Sequence, residues 1–131
     1  VGENTLVDAI RLMIDKIIIE NGKINLFMLL GDLEEREAGY VVVSYTMVVS
    51  AKWMDHLTPR EGTELVANYL FTKLPSEYIV HISRVTVVST LDESVTNITN
   101  NIGQHGGYAV NYGCRFGDVN IPFCIIFESR L

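Results

Sequence analysis

The segment Gly103-Gln104-His105-Gly106-Gly107 sets a histidine, a residue type suited to proton transfer, among glycines, which let a backbone approach a ligand closely. Asp55 and His56 follow Trp53-Met54 at the end of a strand-like run and could act as an acid/base pair. Cys114 and Cys124 are the thiols, and Cys114 with His105 as base would make a nucleophile. Asp32, Glu34, Glu35 and Glu37 could supply oxygens to a hard cation. Each feature also has a purely structural reading: a helix-to-strand loop, a solvated turn, an inert buried thiol and a charged hairpin tip. The catalytic candidates are therefore His105, His56 and Asp55, with no cofactor and no metal expected. His81 falls within a strand pattern and reads as a packed or half-exposed sheet residue.

The His105-Gly106-Gly107 segment is similar to one found in some hot-dog-fold thioesterases. Its one-residue gap to Gly103 and its place before a strand depart from that pattern, so no residue role is carried over. The acidic residues at 32–37 lack EF-hand spacing, and the glycines at 103–107 come without a phosphate-loop lysine. A nucleophile elbow, zinc-ligand spacing and a dinucleotide fingerprint are likewise missing.

The elements that must position these residues are legible in the periodicity. Leu6, Ile10, Met13, Ile14, Ile17 and Ile18 recur at helical spacing, with Asn4 as N-cap and Asn21-Gly22 as the stop. Asp8, Arg11, Asp15 and Lys16 lie on the other side. Leu12 and Ile19 widen the apolar stripe, which points to a helix clamped between layers or used in a subunit contact. Lys23 to Leu30 reads as a strand apolar on both faces, followed by a solvated connection from Gly31 to Gly39. Tyr40 to Trp53 alternates as a strand long enough to need a bend or bulge. Thr58-Pro59-Arg60-Glu61 is a capping box opening a helix that ends at Leu74 before Pro75. Tyr78 to Thr90 reads as a third strand whose phase slips at Ser83-Arg84, and Thr90 to Glu93 reads as a second capping box before a short helix ended by Gly103.

The C-terminal hairpin predicts its own register. A two-residue Gly117-Asp118 turn sets Phe116 against Val119, Cys114 against Ile121, Tyr112 against Phe123, Val110 against Ile125 and Tyr108 against Phe127. Pro122 removes an amide donor and favours an edge or a bulge there. Strict alternation then puts Cys114 and Cys124 on opposite faces of the sheet, beyond the reach of a disulfide, which predicts two free thiols and a reducing, cytoplasmic setting.

Net charge −6 and scattered basic residues argue against nucleic-acid binding and for a protein partner, a basic one being electrostatically easier. No apolar run approaches the roughly 20 residues of a membrane span. The first residues lack a basic start and an apolar stretch, and the missing initial Met leaves a removed signal peptide open. The expectation is one α+β domain over residues 1–131, in the order αββαβαββ. A mainly antiparallel sheet of about five strands carries two longer helices on one face, plus one short helix. Function is expected to be that of an acidic, non-enzymatic binding or scaffold protein, homo-oligomeric and binding another protein. The alternative is a small-molecule, hydrolase-like enzyme with a cleft near His105 or His56.

Overall fold

A computed structural model describes residues 3–131 of the chain, with side chains from residue 6 onward. Helix α1 (Glu3–Asn21) buries Leu6, Val7, Ile10, Met13, Ile14 and Ile17. It stops at Gly22, whose φ of 119° lies in the left-handed region and whose N–H donates to the Ile18 carbonyl at 2.9 Å. Asn4 falls within α1 rather than at its cap, and its side chain lies outside the described residues. Leu12 and Ile19 are 71% and 79% exposed, so the wide stripe is not clamped between layers.

The five strands are β1 (Leu26–Arg36), β2 (Gly39–Ser50), β3 (Ile82–Val87), β4 (Ala109–Phe116) and β5 (Val119–Ser129). They form one sheet in the order β3-β2-β1-β5-β4. Three neighbouring pairs are antiparallel, but β3 runs parallel to β2, so the sheet is mixed. The cause is the helical crossover between them: α2 (Pro59–Lys73) and α3 (Ser76–Ile79) return the chain to the end of the sheet where β2 began. α3 takes the first residues of the expected third strand, leaving β3 shorter. Thr58 caps α2 through the expected box, its hydroxyl accepting from Glu61 N–H while the Glu61 carboxylate accepts from Thr58 N–H. Those bonds hold the Glu61 carboxyl below its usual range.

Helices cover both faces, which corrects the one-faced expectation. α1 and α2 enclose a core with Phe27, Leu29, Tyr45, Met47, Val49, Phe123, Ile125 and Phe127. On the opposite face α4 (Glu93–Asn101) brings Val95 and Ile98 onto Leu26, Met28, Leu30, Val48, Cys124 and Ile126. The sheet centre is buried on both sides, which explains why Leu26 to Leu30 is an unbroken apolar run. α4 does not begin with the expected box. Asp92 is its N-cap, accepting from Ser94 N–H at 2.9 Å, while the Thr90 hydroxyl binds Asp55.

Bulges set which side chains reach which face. Between Asp32↔Ser44 and Leu33↔Val42 the residue Val43 is unmatched, so Val42 joins the core and Val41 and Val43 are exposed. Ser83 is the unmatched residue in β3, where the phase slip was expected. The supposed loop at 31–39 is instead the outer half of the β1/β2 hairpin, turning at Glu37-Ala38. Trp53 leaves the strand for a short 3-10 turn, Lys52–Met54, and its indole N–H donates to the Lys23 carbonyl at 2.9 Å.

Candidate functional site

The one carboxylate at the centre of a charged cluster is Glu128, near the end of β5. Its side chain has 0% exposure. The ladder pairs Phe27 with Glu128 and Met28 with Ile126, leaving Phe127 as the extra residue of a bulge. The bulge lets two successive residues serve the same side: Phe127 enters the core under α1, and Glu128 reaches Arg11 of α1. Arg11 Nη1 lies 2.8 Å from Glu128 Oε2, and Gly106 N–H donates to the same oxygen at 3.2 Å. His105 Nδ1 lies 2.8 Å from Oε1, with Arg130 Nη1 3.9 Å from that oxygen.

A carboxylate only accepts, so His105 Nδ1 carries the hydrogen and donates to Glu128. The 3.4 Å approach of Arg130 Nη1 to the same ring nitrogen then sets two donors side by side and is not a hydrogen bond. In that tautomer Nε2 is an acceptor, and the His105 side chain is 58% exposed. This is an oriented imidazole of the kind that takes a proton in general-base chemistry. The same cluster also ties α1 to the loop before β4, since Arg11 donates to the Gly107 and Phe127 carbonyls at 3.1 and 3.0 Å. Arg11 Nε and Nη2 donate to Asp15 Oδ1. Arg11 therefore lies on the margin of the packed face rather than on the solvent side of α1.

His105 is the sequence candidate that the structure sets against a buried carboxylate. Asp55 and His56 are not brought together as an acid/base pair. The Asp55 carboxylate accepts from both the backbone N–H and the hydroxyl of Thr90, pinning the β3-to-α4 connection, while His56 is exposed in the turn before α2. His81 is exposed just before β3. Asp32 accepts from Ser44 and Ser83 at 2.9 and 3.1 Å, holding the hairpin to β3. No group of three or more His, Cys, Asp or Glu side chains suited to a metal occurs among the described residues. Sequence reading missed Glu128 and Arg11; the one available signal was a carboxylate closing the otherwise apolar run Phe123 to Phe127.

The hairpin register is the expected one from Val110↔Ile125 to Phe116↔Val119. Tyr108 lies just outside the ladder, with its ring 6.2 Å from Phe127. Both cysteines are free, but not because they sit on opposite faces. Gly113, at φ 80°, faces Pro122 across the hairpin and turns the ribbon over, so Cys114 and Ile121 pack on the α4 side with Cys124. Beside them, between α4 and the hairpin, lies a cavity of about 520 Å³ bordered by Asn97, Asn101, Asn111, Cys114 and Arg115.

Among the described residues no helix is long and apolar enough to cross a membrane. No family model matches the chain, and neither does any curated protein or solved structure.

Proposed function

We propose that this is an acidic, non-enzymatic binding protein that associates with a second copy of itself through strand β4. The observation that carries this reading is the β4 edge of the sheet, β3 forming the other edge. β4 pairs with β5 on one side, and among the described residues no strand pairs with its other side. Tyr108, Val110 and Tyr112 form an apolar row along it, 40%, 41% and 80% exposed. Protein edges are normally blunted by charged side chains or proline, and β4 has one charge, Arg115, at its far end and no proline. An antiparallel β4–β4 pair would be two-fold symmetric and would continue the sheet. β5 is interior beside β1 over residues 124–129, and Pro122 lies in its first half, beyond that ladder, at the edge position a proline favours. Net charge −6 makes a basic protein segment the easier further partner.

Analytical ultracentrifugation at micromolar concentration tests the edge. The unaltered protein is expected to sediment as a dimer, and Tyr112→Lys, at an exposed site, as a monomer with an unchanged circular dichroism spectrum. A monomer before any substitution removes the proposal.

A second reading rests on the His105–Glu128 bond: a hydrolase-like enzyme using His105 Nε2 as base. Activity against a panel of small esters, with a loss of about 10²-fold or more in His105→Gln, is the outcome that supports it. Equal rates in both proteins exclude it.

A further inference from the structure

Strands β1 and β5 part before either ends. Their ladder runs from Leu26↔Ser129 to Leu30↔Cys124, yet β1 continues to Arg36 and β5 begins at Val119. Beyond Leu30 each is held only by its own hairpin partner, β2 for β1 and β4 for β5. The fork lies at Gly31. A Cβ placed there would stand 3.0 Å from the Phe123 ring and 3.2 Å from the Phe123 carbonyl, so Phe123 occupies the fork. Along an antiparallel strand, successive residues direct their N–H and C=O groups alternately to the two neighbours. From 31 to 36, β2 takes one set, and among the described residues no strand takes the set facing the cleft between the two hairpins. Such an edge is a template for an added strand.

The side chains flanking this edge select the occupant. Gly31 pairs with Tyr45 and Leu33 with Val42, both core residues on the Phe123 side, so Gly31, Leu33 and Glu35 share that face. On the other face the Asp32 carboxylate is held by Ser44 and Ser83, and Glu34 by Arg36 at 3.1 Å. Glu35 and Glu37 are exposed and have no ion-pair partner among the described residues. Residues 32–37 thus set Asp32, Glu34, Glu35 and Glu37 against the single cation Arg36. A second copy of this edge would bring like charges together across the new ladder, which disfavours self-pairing. We propose that the inner edge of β1, from Asp32 to Arg36, binds an extended basic segment of a partner protein by strand addition antiparallel to β1. An apolar side chain of that segment lies beside Leu33, and a lysine or arginine two residues away meets Glu35. This inference rests on the charge argument for a basic further partner and is independent of the β4 pairing.

The probe is a fluorescent peptide blocked at both ends, Thr-Lys-Thr-Val-Lys-Val-Thr, with a second peptide in which glutamate replaces each lysine. Fluorescence anisotropy reads the affinity, and amide hydrogen exchange by NMR reads the place. The lysine peptide is expected to slow exchange at alternate amides of residues 31–36 in the unaltered protein. Reversing the two unpaired charges, Glu35→Lys/Glu37→Lys, is expected to weaken it by about tenfold, whereas Glu64→Lys/Glu77→Lys, at exposed sites on α2 and α3, changes it by less than about twofold. No binding up to millimolar peptide, slowed exchange only at β3 or β4, or equal binding of the glutamate peptide overturns the proposal. An equal loss in the two charge reversals also overturns it, because net charge alone then explains the binding. The β4 pairing is judged separately by sedimentation: a monomer that binds the peptide at 31–36 keeps this site and loses the dimer, and a dimer that binds no peptide does the reverse.

Discussion

Arg11→Met is expected to lower the stability of the fold by about 3–5 kcal/mol, the cost of leaving a buried charge without its counter-ion. Glu128 has no solvent exposure, and Arg11, whose side chain is 12% exposed, is its nearest cation at 2.8 Å. Methionine keeps much of the volume and the helix propensity at this position but removes every donor. The Gly107 and Phe127 carbonyls, which Arg11 also holds, lose their partner as well. His105 and Arg130 remain near Oε1, but the side of Oε2 keeps only the Gly106 N–H. Urea unfolding followed by Trp53 fluorescence measures the loss. The double variant Arg11→Met/Glu128→Leu is expected to recover most of it, because removing both charges removes the desolvation penalty together with the attraction. A single variant within about 1 kcal/mol of the parent shows that His105 and Arg130 carry the carboxylate without Arg11.

Phe127→Ala is expected to cost about 3–5 kcal/mol as well, by a different route. Phe127 is fully buried where the sheet meets α1. Its ring stands edge-on to Phe27, with centroids 6.0 Å apart and planes at 87°, and lies 6.2 Å from Tyr108. Alanine removes the apolar burial and both ring contacts, and the rigid strands on either side limit how far the cavity can close. Phe127 is also the extra residue of the β5 bulge that aims Glu128 at Arg11. Part of the loss should therefore be coupled to Arg11→Met in a double-mutant cycle, while Val66→Ala, in the same core but on α2, should combine additively with Arg11→Met. A fully additive Phe127–Arg11 cycle would show that the bulge holds Glu128 in place without its aromatic residue.

The Glu128 cluster and the placing of the two cysteines share an origin in chain irregularity. Without the bulge at Phe127, Glu128 would not reach the α1 side, and without Gly113 the two thiols would lie on opposite faces. Both arrangements thus depend on positions where one residue departs from the pleat, a common device for re-aiming side chains.

By itself the amino-acid sequence determined the local and short-range features. The α1 stripe, the stop at Gly22, the capping box at Thr58, the slip at Ser83 and the C-terminal hairpin register all follow from backbone sterics, capping chemistry and side-chain period within a few residues. Only the tertiary structure decided what lies far apart in the chain: the parallel pairing of β3 with β2, the placing of β5 inside and β4 at the edge, α4 on the second face, and Arg11 against Glu128. The physical reason is that a period of two says which residues share a face only while the ladder is regular. It does not say which element covers that face, and each bulge reverses it. The local pattern therefore predicted two free cysteines from opposite faces, whereas a single left-handed glycine brings Cys114 and Cys124 together on one.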